Sequence, residues 1–411
     1  MFDMTFRLDP EIICGVDTIN RAGAVCAETG NRAFVVTEKA LHENKTIDRL
    51  IDILKDAGVE AIVYDEVPVN AAADTAESAA ALAQGARCSV VIGFGGLKTQ
   101  AVARTTAIIA RNKLSVFEFL DGARPPENWI PYIAIPTVLR DPFFFLPRFI
   151  VVDPRDHLVK LVQSPPGLCK ALVLDGSLPE PLQGPVGRGI AAFDGFCTVI
   201  EAYCSTRTSV LANALLEQAI VLYGRMMGCG SAEQSAGPVE TADPDSFLDD
   251  VELSEKPAGQ GSTPQDPAAD AVNAGLLLAL GCAVSSPGIG TALTYTLDGR
   301  FPLNKSFYST ILLPGILEKL VAARPERLAR AALLMGEAAQ GDPVSEAANK
   351  TVQAVRRCQK TLETPAHLKD YNLTLDRLVP VAETAHNLEF VSFSPWTVST
   401  EDAYELLKQG F

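Results

Sequence analysis

The chain has 411 residues, 47% hydrophobic and 21% charged, enough to bury a large core and, by length, to form two or three domains. Its formal net charge of −15 opposes binding to phosphate backbones, whose affinity comes from Lys and Arg, so no nucleic-acid role is expected. No apolar run reaches the roughly 18 to 20 residues of a bilayer span, and no membrane role is expected either.

The opening "MFDMTFRLDPEIICG" lacks a basic region, an apolar core and a small-residue cleavage site, so no export signal is read there. From there to about residue 180, short β-branched runs alternate with amphipathic stretches: "RAFVVTEKAL", "TIDRLIDILKDAG", "EAIVYDEV", "TAESAAALAQGA" and "CSVVIGFGG". Strands alternating with helices of this length predict an α/β domain with a mostly parallel sheet and helices on both faces. "WIPYIAIPTV", "PRFIVVDP", "HLVKLVQ" and "CKALVLDG" read as further strands.

After Pro185 the texture becomes helical. "AAFDGFCTVIEAYC", "SVLANALLEQAIVLYGRMM", "AADAVNAGLLLALGCAV", "PGILEKLVAA", "PERLARAALLMGEAA" and "AANKTVQAVRRCQKTL" carry apolar residues at helical spacing. We therefore expect an α/β unit over 1–182 and an all-helical unit over 183–411, with a cleft between them. At about 229–267 a Gly/Pro/Ser-rich insertion carries nine acids and one lysine from Ser231 to Pro267. Its composition predicts a solvated segment or a docking contact, with a short helix at "DSFLDDVEL". The closing "SPWTVSTEDAYELL" carries a helix start, with Ser399 or Thr400 as N-cap.

Nine cysteines are scattered with no CxxC pair, which argues against a disulfide framework or thiolate zinc site and fits the reducing cytoplasm. Only four histidines occur, His42, His157, His367 and His386, with no two at helical ligand spacing.

Two motifs carry chemistry. In "VVIGFGGLKTQAVAR" a strand runs through Gly95 and Gly96 into a helix, whose N-terminus offers unpaired N–H groups to an anion such as a pyrophosphate; a tight turn without ligand is the alternative. Glu38, closing an early strand, is placed to accept from ribose hydroxyls and to repel a 2′-phosphate, which favours NAD over NADP; a solvated loop acid is the alternative.

The run of fragments "VVTEKAL", "VIGFGG", "YIAIPT", "FDGFCTVIEAYCS", "PGIGTALTYTL", "STILLPGIL" and "NLEFVSFSPWTVSTEDAYELL" resembles, nearly end to end, the iron-containing (group III) alcohol dehydrogenases of the dehydroquinate synthase-like superfamily. The resemblance implies NAD(P)-dependent oxidation of a small alcohol or reduction of an aldehyde. It also implies a homodimer or larger assembly, and cofactor contacts at Glu38, Gly95, Gly96 and Thr137; Lys98, where the family's turn differs, is read as a cation offered to phosphate, with a solvated lysine as the alternative.

The departures are sharp. The family's GGGS turn, with its following aspartate and lysine, maps to Gly95, Gly96, Leu97, Lys98, Ala101 and Arg104. Its TAGTGSE segment becomes Val138-Leu139-Arg140-Asp141-Pro142-Phe143-Phe144-Phe145, whose bulk is expected to fill cofactor space. The aspartate and three histidines that hold the family's metal map to Asp194, Thr198, Thr291 and Lys305, and a further active-site histidine maps to Tyr295.

A hydroxyl is a weak ligand and an ammonium has no lone pair, so no metal is expected; a rearranged site using Cys197 is the alternative. Lys305 is expected to compensate Asp194. Tyr295 and Lys305 are candidate catalytic residues, with the ammonium favouring the phenolate. Two functions stay open: a metal-free oxidoreductase with altered chemistry, and a catalytically inactive relative that binds a small molecule or partner.

Overall fold

The computed structural model describes residues 8–69, 71–112, 114–125, 127–178, 182, 184–230, 266–362 and 366–411. The strands are β1 (Glu11–Gly15), β2 (Arg32–Glu38), β3 (Glu60–Val67), β4 (Val90–Gly95), β5 (Tyr132–Pro136), β6 (Arg148–Val152), β7 (Val159–Gln163) and β8 (Cys169–Asp175). Interleaved with them are α1 (Ala22–Thr29), α2 (Lys39–Glu43), α3 (Thr46–Asp56), α4 (Ala73–Gly85), α5 (Leu97–Ile109) and α6 (Val116–Leu120).

Six strands form one sheet in the order β1-β8-β5-β4-β2-β3, every pair parallel, as the alternating pattern predicts. The β4 run is buried on both faces, as a central parallel strand requires. β6 and β7, read from sequence as two further strands, instead form a separate antiparallel pair. β1 escaped the sequence reading because "EIICG" is too short to show a period.

From Gly184 onward the described elements with regular structure are helical: α7 (Gly184–Cys204), α8 (Val210–Met226), α9 (Pro267–Val284), α10 (Ile289–Arg300), α11 (Lys305–Ala323), α12 (Pro325–Leu334), α13 (Val344–Thr361), α14 (Leu375–His386) and α15 (Thr400–Gln409). Ser399 caps α15, its hydroxyl accepting from the Asp402 amide while the Asp402 carboxylate accepts from the Ser399 amide. The "DSFLDDVEL" helix and most of the acidic insertion lie outside the described residues.

Two helices correct the reading of the apolar runs. α9 and α11 are both long and apolar enough to cross a membrane. Their apolar character has another use: α9 packs on α8 and α7 and reaches β1 and β8, while α11 is enclosed by α7, α10 and α13.

α9 also abuts the segment after β5. Gly275 lies against the backbone carbonyl of Leu139, with no room for a side chain. Gly275→Ala would drive a methyl into that carbonyl and push on the Arg140-bearing segment. The expected cost is about 1–3 kcal/mol, read as a lower urea midpoint with an unchanged m-value.

Candidate functional site

α7 sets the site because Asp194, Thr198 and Glu201, spaced by four and three residues, share one helical face. That face is sealed, with Asp194 only 1% exposed. The Asp194 carboxylate accepts from four donors. Lys305 Nζ and Ser309 Oγ (2.6 Å) reach Oδ1, while Ser306 Oγ (2.9 Å) and Arg140 Nε (3.2 Å) reach Oδ2.

Local structure explains the convergence. Asn304 caps α11 by accepting from the Ser306 amide, so Lys305, Ser306 and Ser309 leave the first turns of that helix toward α7. Arg140 arrives from the other side, on the segment after β5, and also donates through Nη2 to Ser306 Oγ at 3.2 Å. Burial pushes the Asp194 carboxyl up, but Lys305, Arg140 and Ser309 outweigh it and hold it down at about 2.

The pairing of Lys305 with Asp194 matches the sequence expectation. Arg140 was missed as a partner, because nothing local in "VLRDPFFF" shows that its guanidinium turns toward α7.

Thr198 and Thr291 also meet, Oγ to Oγ at 3.3 Å. Thr291 Oγ donates to Glu201 Oε2 at 2.8 Å, and the amides of Gly290 (2.6 Å), Thr291 (2.9 Å) and Gly288 (3.3 Å) donate to the same carboxylate. Glu201 thus binds the N-terminus of α10, where the helix dipole favours a negative charge. Burial raises its pKa above the usual carboxylate value, opposed by those donors. Sequence reasoning passed it over; the one available signal is an acid seven residues after Asp194 in an otherwise apolar stretch.

These contacts decide whether a divalent cation fits. A carboxylate offers about four lone-pair sites, and those of Asp194 already receive four donors. Thr291 is committed to Glu201, and Lys305 brings a cation. Among the described residues no group of three or more His, Cys, Asp or Glu could hold a metal ion. Cys197 offers no rescue, since burial and Glu201 push its thiol well above the usual range and keep it protonated. This donor set does not fit a metal.

Tyr295 requires a correction. Lys305 Nζ lies 4.8 Å from the centre of the Tyr295 ring, over its face, while the hydroxyl points to Asp141 Oδ1 at 3.5 Å. Burial, then Asp141, Asp194 and Asp298, push the phenol well above its usual value. The ammonium does not favour a phenolate here.

Beside this cluster a cleft of about 250 Å³ opens, lined in part by Glu38, Gly96, Lys98, Arg140, Lys305 and Ser306. It lies at the carboxyl ends of β2 and β4, where the strand order reverses, the usual ligand crevice of a parallel sheet. Gly95 takes a φ of +152° at the turn, and its carbonyl accepts from the Thr137 amide at 3.0 Å. Thr37 and Thr137, which precede the lining residues Glu38 and Val138, have buried hydroxyls with no partner among the described residues. The first-turn amides of α5 have no acceptor within the helix.

These features fit the phosphate end of a dinucleotide, with one reservation: Glu38 Oε1 already accepts from the Gly96 amide at 3.0 Å. Burial raises the Glu38 carboxyl above its usual value, and Gly96 opposes that shift.

Two further expectations change. Lys98 is not available to a phosphate, because Nζ donates to the carbonyls of Val69 (3.0 Å) and Asp298 (2.9 Å) and lies 3.3 Å from Asp298 Oδ2. The phenylalanines do not fill the cleft. Phe144 and Phe149, with Tyr132, surround the Arg104 guanidinium at 5.6–5.8 Å, and Asp141 pairs with it at 3.5 Å.

The folded value of Asp194 lies below its unfolded value near 4. The stability it contributes, about 2–3 kcal/mol, is therefore present above pH 4 and lost as pH falls toward 2. Asp194→Asn is expected to cost about 3–5 kcal/mol at pH 7 by stranding buried cations. In denaturant titrations the gap to the parent protein should narrow from pH 4 to pH 2.

Comparison with known proteins places this geometry. Residues 9–176 match the family model "Iron-containing alcohol dehydrogenase" and residues 262–411 match "Fe-containing alcohol dehydrogenase family, C-terminal". Lactaldehyde reductase of Escherichia coli (strain K12) is 22% identical over 378 residues, covering 91% of each chain. The 1,3-propanediol dehydrogenase of Klebsiella pneumoniae is 23% identical, covering 97% of this chain and 96% of its own. The crystal structure of a 1,3-propanediol oxidoreductase superposes with a TM-score of 0.83 at 20% identity, covering all of both chains. A sulfoacetaldehyde reductase from Bifidobacterium kashiwanohense, solved with NAD+, superposes with a TM-score of 0.77 at 14% identity, covering 100% of this chain and 99% of its own.

Proposed function

We propose, for a chain that belongs to the iron-containing alcohol dehydrogenase family, that it interconverts a small alcohol and its aldehyde with a nicotinamide dinucleotide and without a divalent metal. The observation that carries this reading is the ammonium of Lys305, paired with Asp194 at the family's metal position and lining the cleft.

In the reducing direction, charge develops on the carbonyl oxygen as its carbon is attacked, and a fixed cation in a water-poor site stabilises that charge. Lys305 supplies the cation, Asp194 keeps it protonated and oriented, and Arg140 with Ser306 and Ser309 locks the carboxylate. Tyr295 supports Lys305 from beneath through its ring face and transfers no proton. Glu38, Gly95, Gly96, Thr137 and the first-turn amides of α5 would hold the dinucleotide, with Glu38 selecting NAD over NADP. When bound, the nicotinamide would supply or accept the hydride, and the alkoxide takes its proton from the Lys305 ammonium, which solvent in the cleft reprotonates; the oxidising direction runs the same transfer in reverse.

A second reading, an inactive relative that binds a smaller ligand, is favoured by one observation: Glu38 occupies the Gly96 amide that a pyrophosphate would use.

The two readings separate in one set of assays. Turnover of lactaldehyde or propanal with NADH, unchanged by exhaustive EDTA treatment, is the expected result. Lys305→Met is then expected to lower kcat by about 100-fold, the loss typical of one oxyanion donor. Activity abolished by EDTA and restored by Zn²⁺ or Fe²⁺ would refute the metal-free mechanism. No turnover, with no rise in Tm under millimolar NAD, would select the second reading.

A further inference from the structure

Away from the cleft, the helical half brings together two of the nine cysteines. Cys229 and Cys358 stand with their Sγ atoms 3.2 Å apart although 129 positions separate them in sequence. Both are nearly buried, at 9% and 8% exposure.

The approach is built from three directions. α8 ends in a left-handed turn at Gly228 (φ +80°), in which the Cys229 amide donates to the Gly224 carbonyl and the Gly228 amide to the Arg225 carbonyl. This double-bonded helix end fixes where the Cys229 side chain leaves the backbone. The next residue, Gly230, donates its amide to Glu337 Oε1 at 3.0 Å, and Glu337 Oε2 pairs with Arg357, the neighbour of Cys358 on α13. The backbone carrying one thiol is thereby tied to the helix carrying the other.

We infer that Cys229 and Cys358 form a redox-active dithiol that a hydroperoxide converts into a disulfide bridging the end of α8 to α13. The Cys358 thiolate attacks the peroxide oxygen, breaking the O–O bond and giving a sulfenic acid and an alcohol (water, from hydrogen peroxide). Cys229 sulfur then displaces hydroxide from the sulfenic sulfur. The bridge forms, two thiols are oxidised, and the peroxide is reduced to one alcohol and one water. The sulfur atoms need to close by roughly 1 Å to reach covalent separation.

The roles follow from the surroundings. Cys358 is held below the usual thiol value because it accepts from the Cys229 thiol; burial and Glu337 oppose this, and Arg357 assists it. Burial instead raises Cys26 and Cys204, each to about 12. Those thiols are poor nucleophiles.

The test uses the full-length protein treated with equimolar hydrogen peroxide, unfolded, alkylated and weighed intact. Free thiols are expected to fall from nine to seven, with a Cys229–Cys358 cross-linked peptide on digestion and a Tm gain that dithiothreitol reverses. In Cys229→Ser the sulfenic acid on Cys358 should persist and be trapped by dimedone, and in Cys358→Ser the loss of thiols should vanish. Nine thiols retained, or oxidation confined to exposed Cys14, would overturn the proposal on the parent protein alone, whatever the variants do.

Discussion

A carboxylate taken out of water survives only if the protein replaces each hydrogen bond that water gave it, and Asp194 imposes that demand on everything around it. Its four donors come from two separate regions: Lys305, Ser306 and Ser309 from one end of α11, and Arg140 from the segment leaving β5. Meeting the demand fixes the rotation of α7, the start of α11 and the path of the chain beyond the sheet. One buried charge therefore binds the carboxyl end of the sheet to the helices.

Glu201 repeats the solution about two turns further along α7. There the donors are backbone amides at the start of α10, with the Thr291 hydroxyl added. The two acids hold three helices in register, and Thr198 and Thr291 fill the space between them. Both carboxylates are satisfied by the protein's own donors, so the core of the helical half has no need of a cation from outside to be electrostatically balanced.

How much of this was legible in the sequence depends on range. The β2, β3 and β4 runs are short β-branched stretches set between helical ones, and the long helices are periodic; both signals are local, so the sequence shows them. The Lys305–Asp194 pair could be anticipated only through resemblance, since 111 positions separate the residues. Arg140, Glu201 and the thiol pair were invisible because each is defined by where a partner far along the chain arrives. Tyr295 was misread for a related reason: proximity to an ammonium was foreseen, but its direction, ring face rather than hydroxyl, is a matter of packing. Lys98 was likewise assigned to a phosphate when Asp298 and two carbonyls were waiting for it.

The stretch from Val138 to Phe145 shows how a segment that departs from its family can still be coherent. Arg140 turns toward α7 and answers Asp194, while the next residue, Asp141, turns toward α5 and pairs with Arg104. Arg104 is 7% exposed and would be costly to bury with Asp141 alone at 3.5 Å, but the faces of Tyr132, Phe144 and Phe149 complete its surroundings. The aromatic run, expected from sequence to obstruct a cofactor, instead gives the Phe144 ring to the packing around this buried guanidinium and the Phe143 ring to Tyr295 and Phe390. With the rings drawn there, the cleft keeps its floor of Lys305, Arg140 and Ser306, and its chemistry is set by those groups rather than by the phenylalanines.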